Sequence, residues 1–236
     1  MMRRGDDAGY DRSLTMFSPE GRLYQVEYAL EAVRRGTLVI ALKSKYGATL
    51  VTRKKFTKLM DSSTIEKIFQ MDEHMGCAIA GLHADSRILV DYARVQCQVH
   101  RLTYSEPVRI QTITRKLADI KQQYSQHGGV RPFGSSLLIV GVDPDGMPRI
   151  TTTSPSGTYW SWRGTAMGRN SDAARETLNK ELNDEMSLEE LVKLGIKILK
   201  ESTDEEFEDE NLSIATISAE ERKFELLKYD RIKAYL

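Results

Sequence analysis

Apolar residues recur along this chain with two different periods, and the switches between them divide it into elements. Residues 1–17 show neither period, are polar and contain glycine, and predict a mobile arm. From Ser18 the pattern turns helical: Leu23, Val26, Leu30 and Val33 step along one face. Ser18 suits an N-cap, Pro19 the first helical position and Glu20 the positive end of the helix dipole. Arg34 and Arg35 suit its negative end, and Gly36 a left-handed stop, so a helix is expected over 18–35. The period then falls to two, predicting strands over 38–42, 48–52, 65–71 and 76–80. Ile88, Leu89, Tyr92, Val95, Val99 and Leu102 return to helical spacing, and a second helix is expected over 108–124. Strands over 136–142 and 148–153 flank the turn formers Asp143, Pro144, Asp145 and Gly146. Helices over 171–182 and 187–201, an acidic solvated loop over 204–210 and a strand over 212–217 complete the series.

Strands grouped between helix pairs, rather than alternating singly with helices, predict antiparallel sheets covered by helices on their outer faces. That is a four-layer αββα sandwich of the α+β class. With no Gly/Ser-rich linker and no internal repeat in 236 residues, one domain is expected over 1–236. It divides into the arm 1–17, the helix 18–35 and the sandwich 36–236.

Composition removes several function classes. The 34 Lys and Arg residues balance 34 Asp and Glu, a formal net charge of +0, which argues against a nucleic-acid or membrane-surface partner. No apolar run approaches a membrane span, and the polar start lacks the apolar stretch of a secretory signal. Cys77 and Cys97 read as buried apolar residues in a reducing compartment rather than a disulfide or metal pair. The expectation is a cytoplasmic chain without a cofactor.

The residues that could carry chemistry converge on Gly36-Thr37. A threonine freed by cleavage after Gly36 could act as a nucleophile, with its own amine as base, a lysine to steady charge and a carboxylate to hold that lysine. Lys67, expected on the third strand, could be the lysine. Where the carboxylate belongs, however, "VTRKKF" supplies Arg53, Lys54 and Lys55. The free amine would require loss of the helix before Thr37, so a non-catalytic threonine is favoured. "GGVRPFG" lacks the ending of a phosphate cradle, and "GVDPDG" lacks the carboxylates of a calcium loop. His74, His83, His100 and His127 share no metal-binding spacing, and no metal site is expected.

"GYDRSLTMFSPEGRLYQVEYALEAVRRGT", from Gly9 to Thr37, resembles the amino-terminal signature of α-type subunits of the 20S proteasome core particle. The likeness continues through "TIEKIF", "GLHADSRILVDYAR" and "YSQHGGVRPFG" and covers nearly the whole chain. The resemblance implies the αββα fold of Ntn-hydrolases and no active site, since the β-type relatives carry the nucleophilic threonine. It implies a heptameric ring of α-type subunits, stacked on rings of proteasome β subunits, which gates access and docks regulatory ATPases or activators through their C-terminal tails. Unfolded protein substrates would pass through it. By the same resemblance Tyr10, Asp11, Arg12, Pro19 and Tyr28 match the gate cluster, and Gly36, Lys67 and Leu82 match the activator-tail pocket between neighbouring subunits. His127, Gly128, Gly129 and Val130 match the loop lining the channel annulus, with His127 standing where the family commonly has tyrosine. The rival readings are a self-processing N-terminal threonine hydrolase using Thr37 and a free-standing αββα scaffold.

Overall fold

The computed structural model describes residues 16–57, 59–61, 64–203 and 207–236. It opens with a turn where a helix was expected. The Ser18 and Arg22 backbones are joined at 2.9 Å, Gly21 donates to the Ser18 carbonyl at 2.8 Å, and Gly21 takes the left-handed φ of +76° that such a turn needs. The first helix, α1 (Tyr24–Arg34), starts only after this turn, with Leu23 rather than Ser18 at its N-cap. Of the expected apolar face, Val26 and Val33 are buried together with Tyr24 and Ala29, while Leu23 and Leu30 are half-buried. At the other end Arg35 caps the helix in a right-handed conformation, and Gly36 is not left-handed as expected. Its missing side chain serves close approach instead, because a Cβ there would lie 2.7 Å from the Gly81 backbone nitrogen.

The strands β1 (Val39–Ser44) and β2 (Gly47–Arg53) form a hairpin, followed by β3 (Ile68–Asp72) and β4 (Met75–Gly81). Because β3 begins at Ile68, Lys67 precedes the strand that was expected to contain it. The helices α2 (His83–Tyr104) and α3 (Ile110–Gln126) come next, then β5 (Ser135–Val142) and β6 (Pro148–Thr153) around the Asp143–Gly146 turn. Two short strands without a clear signal, β7 (Tyr159–Trp162) and β8 (Gly164–Met167), lead to α4 (Ser171–Glu181) and α5 (Leu188–Glu201). Ser187 and Glu190 close a reciprocal capping box at the start of α5. The chain ends with β9 (Leu212–Ser218), β10 (Phe224–Leu226) and the single turn α6 (Tyr229–Ile232). Of the expected acidic loop, residues 204–206 lie outside the described ones, and Asp209 pairs with Lys200 at 2.8 Å.

Among the described residues the strands form two five-stranded sheets, ordered β10-β9-β2-β1-β8 and β3-β4-β5-β6-β7, with antiparallel neighbours throughout. Side-chain alternation assigns each face. In the first sheet Ile40, Leu42 and Val51 point outward to α4 and α5, while Val39, Ala41, Ala48 and Leu50 point inward. In the second, Cys77, Ile79, Leu137 and Ile139 meet α2 and α3, while Ala78, Ala80, Leu138 and Val140 meet the first sheet. Three apolar cores therefore separate four layers, the expected αββα order. Cys77 and Cys97 lie in the core under α2 and α3 as buried thiols, both pushed up to about 12 chiefly by burial.

Candidate functional site

Gly36, Lys67 and Leu82 are brought together around the end of β4. Gly36 abuts Gly81, Leu82 follows Gly81 as the N-cap of α2, and the Lys67 carbonyl accepts the Ile79 N–H at 3.1 Å. Leu82 is half exposed, and its backbone N–H donates to the Gly134 carbonyl at 2.8 Å. Burial holds the Lys67 ammonium below its usual value, as expected for a cation withdrawn from water. The backbone thus brings the three residues to the same end of β4.

Residues 127–130 are exposed at the C-terminal end of α3. His127 caps the helix in an extended conformation, with Nδ1 2.8 Å from the Gln123 carbonyl. A carbonyl can only accept, so Nδ1 carries a proton in this contact. Gly129 has φ +88°, and a Cβ on Gly128 or Gly129 would meet nothing within 4 Å. The loop is therefore constrained by its backbone and anchored just beyond its end. Arg131 donates both guanidinium arms to Asp85 at 2.6 and 2.7 Å, and Asp85 also accepts the Gly134 N–H at 2.8 Å. The Arg131 contact holds the buried Asp85 carboxyl below the usual carboxylate range. Sequence reasoning passed over this pair, although both partners lie in the motifs "GLHADSR" and "VRPFG" at positions that join loop 127–130 to the Leu82 turn.

Thr37 is half-buried and opens a small cavity of about 90 Å³ that it lines with Arg35, Gly36, Leu38, Arg53, Lys55, Arg169, Asn170, Ser202 and Thr203. Arg53 and Lys55 share the lining of this space with Thr37, where a hydrolase would need a carboxylate, and the Arg53 guanidinium lies 5.3 Å from the centre of the Phe207 ring. Lys67 does not line it. Of the gate positions, Pro19 is exposed in the opening turn, and Tyr28 is 55 % exposed with its ring stacked 6.4 Å from that of Tyr24. Tyr10, Asp11 and Arg12 lie outside the described residues.

The profile of a family described as "Proteasome subunit" matches residues 33–217, and the profile of the N-terminal signature of A-type proteasome subunits matches 10–32. The chain belongs to the proteasome subunit family. Its α-type character rests on the second match and on relatives named as proteasome alpha subunits. The relative from Methanothermobacter thermautotrophicus is 45% identical over 230 residues, covering 97% of this chain and 92% of its own. Those from Archaeoglobus fulgidus and Pyrococcus horikoshii are 43% and 44% identical, each over 97% of this chain and 92% and 87% of their own. The β-type alternative finds no support in these matches.

For a proteasome subunit, one surface feature bears on assembly. On α2 the buried residues are Leu89, Val90, Ala93 and Cys97, together with Asp85 and Ser86. Most of the apolar series read from the sequence lies on another face: Ile88, Val95, Val99 and Leu102 are 58, 56, 48 and 85 % exposed. A row of apolar residues in water along one helix face marks an interaction surface.

Proposed function

We propose that this chain is a non-catalytic α-ring subunit of a proteasome core particle, acting in the cytoplasm as one structural unit. In this reading residues 1–17 gate the pore, with Tyr10, Asp11, Arg12, Pro19 and Tyr28 ordering the open state. Gly36, Lys67 and Leu82 receive the C-terminal tail of an activator, Lys67 meeting its carboxylate. His127, Gly128, Gly129 and Val130 line the annulus through which unfolded substrates pass, and the α2 stripe packs on other proteasome subunits. The observation that carries the reading is the α-type signature over 10–32, which runs into α1. Arg53 and Lys55 beside Thr37 favour a spectator threonine, because they leave no carboxylate among the described residues lining its cavity.

The test is a particle reconstituted with β-type subunits. The α chain should keep its residues before Thr37, Thr37→Ala should leave peptide turnover unchanged, and deleting residues 1–12 should raise basal hydrolysis so that activator adds little. Mature protein beginning at Thr37 would overturn the non-catalytic reading, and a truncated particle that stays latent would overturn the gating one.

A further inference from the structure

Away from these sites, at the opposite end of β1 from Thr37, a cavity of about 400 Å³ is walled by four cations: Lys43, Arg109, Arg149 and Arg163. Gln111, Ser161, Thr151 and Trp162 complete its polar and aromatic lining. Its one lining carboxylate, Asp143, is buried and already engaged: it accepts the Ile110 N–H at 2.8 Å and Arg149 Nε at 3.2 Å. Asp145, nearby, takes the other arm of Arg149 at 3.3 Å. Lys43, Arg109 and Arg163 make no ion pair or side-chain hydrogen bond among the described residues. Burial holds the Lys43 ammonium below its usual value; Arg149 and Arg163 push the same way against the pull of Asp184. The lining holds four cations against Asp143, with Asp145 attracting Arg109 and Asp184 attracting Lys43 from nearby, in a chain whose net charge is +0.

We propose that this cavity binds an oligophosphate, free or carried by a nucleotide, through Lys43, Arg109 and Arg163 with Arg149 at the rim. A single carboxylate would leave most of the unpaired charge unanswered, whereas linked phosphates place several negative charges in one small volume. Guanidinium forks match phosphate oxygens two at a time, and a lysine supplies a further point charge. The cavity also falls in the size range of small-molecule sites, and its cations converge on one hollow instead of spreading over a face as an acidic protein surface would require. Trp162 is 37 % exposed, and its Nε1 is fixed at 2.9 Å to Thr152 Oγ1, so the ring is held in place at the cavity wall. A nucleobase would find a stacking partner there; a free oligophosphate would use the cations alone.

The site carries its own reporter, since the 2 tryptophans of the chain are Trp160 and Trp162. The full chain bearing Trp160→Phe is titrated with sodium tripolyphosphate, with metal-free ATP and with sodium chloride at matched ionic strength. The expected result is a saturable change in Trp162 emission with the phosphates and none with chloride. Equal affinity for the two assigns recognition to phosphate alone, and tighter ATP binding adds the base. Arg109→Ala with Arg163→Ala should weaken binding by at least about tenfold, the loss expected of charge-assisted contacts, while Lys180→Ala changes nothing. Calorimetry on the unmodified chain repeats the measurement without relying on the Trp160 variant. Absence of saturable binding in the millimolar range, affinity unchanged in the double variant, or preference for an oligo-aspartate peptide over tripolyphosphate would overturn the proposal.

Discussion

Lys121 shows what a single residue costs and contributes here. It lies on the core face of α3, fully buried, with Nζ donating to the Ser135 carbonyl at 2.9 Å, Thr153 Oγ1 at 2.8 Å and the Thr153 carbonyl at 3.3 Å. Three acceptors satisfy an ammonium, and a neutral amine fits equally if the Thr153 hydroxyl turns to donate. Burial brings its pKa down to about 7. In the unfolded chain a lysine titrates near ~10.4, so between those values the unfolded state binds the extra proton and stability rises with pH. The full rise is on the order of 5 kcal/mol, complete only above the unfolded value. Urea midpoints taken near pH ~7 and pH ~9.5 should therefore climb in the parent and climb much less in Lys121→Met. Equal slopes in both would mean that Lys121 stays charged in the folded chain across that range.

At the scale of elements, long periodic segments were legible and short or interrupted ones were not. Helices α2 to α5 and strands β1, β2, β4, β5, β6 and β9 fall close to their expected places, because each keeps one period over many residues. Strands β7, β8 and β10 are too short to show a period; β7, carrying Tyr159, Trp160 and Trp162, is an edge strand with much of its surface in water. At α1 the capping signals of Ser18 and Pro19 misled, since the left-handed Gly21 closes a turn before the helix can start. On α2 the apolar spacing gave the helix but not its buried face, which Leu89, Ala93 and Cys97 hold. The candidate site was legible where its residues sit in motifs. The Asp85–Arg131 clamp was not, because pairing across 46 positions leaves no local periodicity. Arg131→Ala should cost about 1 kcal/mol, modest because the guanidinium is largely exposed, and should loosen residues 127–134 in hydrogen exchange while α2 stays protected. With its folded value held down, Asp85 contributes stability above the ordinary carboxylate range that is lost as pH falls through the lower folded value. That acid sensitivity should be weaker in the variant, and unchanged protection of the loop would show that Arg131 is not its anchor.

At the scale of the whole molecule, three apolar cores already bury both faces of both sheets, so folding does not need the α2 stripe. Ile88, Val95, Val99 and Leu102 keep roughly half or more of their surface in water in the isolated chain, and each would contribute on the order of 1–2 kcal/mol if another subunit covered what remains. Charge at these positions should therefore leave the fold intact and disrupt assembly. Val99→Glu with Leu102→Glu should keep the parent melting temperature in the isolated chain, since neither side chain is buried there. In reconstitution with β-type subunits, the same variant should shift the population from full particles to smaller species, read by native mass and by loss of peptide hydrolysis. Leu89→Glu provides the contrast: at 1 % exposure it lies in the core under α2, and its charge should unfold the chain. Full assembly of the Val99/Leu102 variant would place the subunit contacts on another face. A fall in its isolated-chain stability matching that of Leu89→Glu would mean that the stripe belongs to the fold.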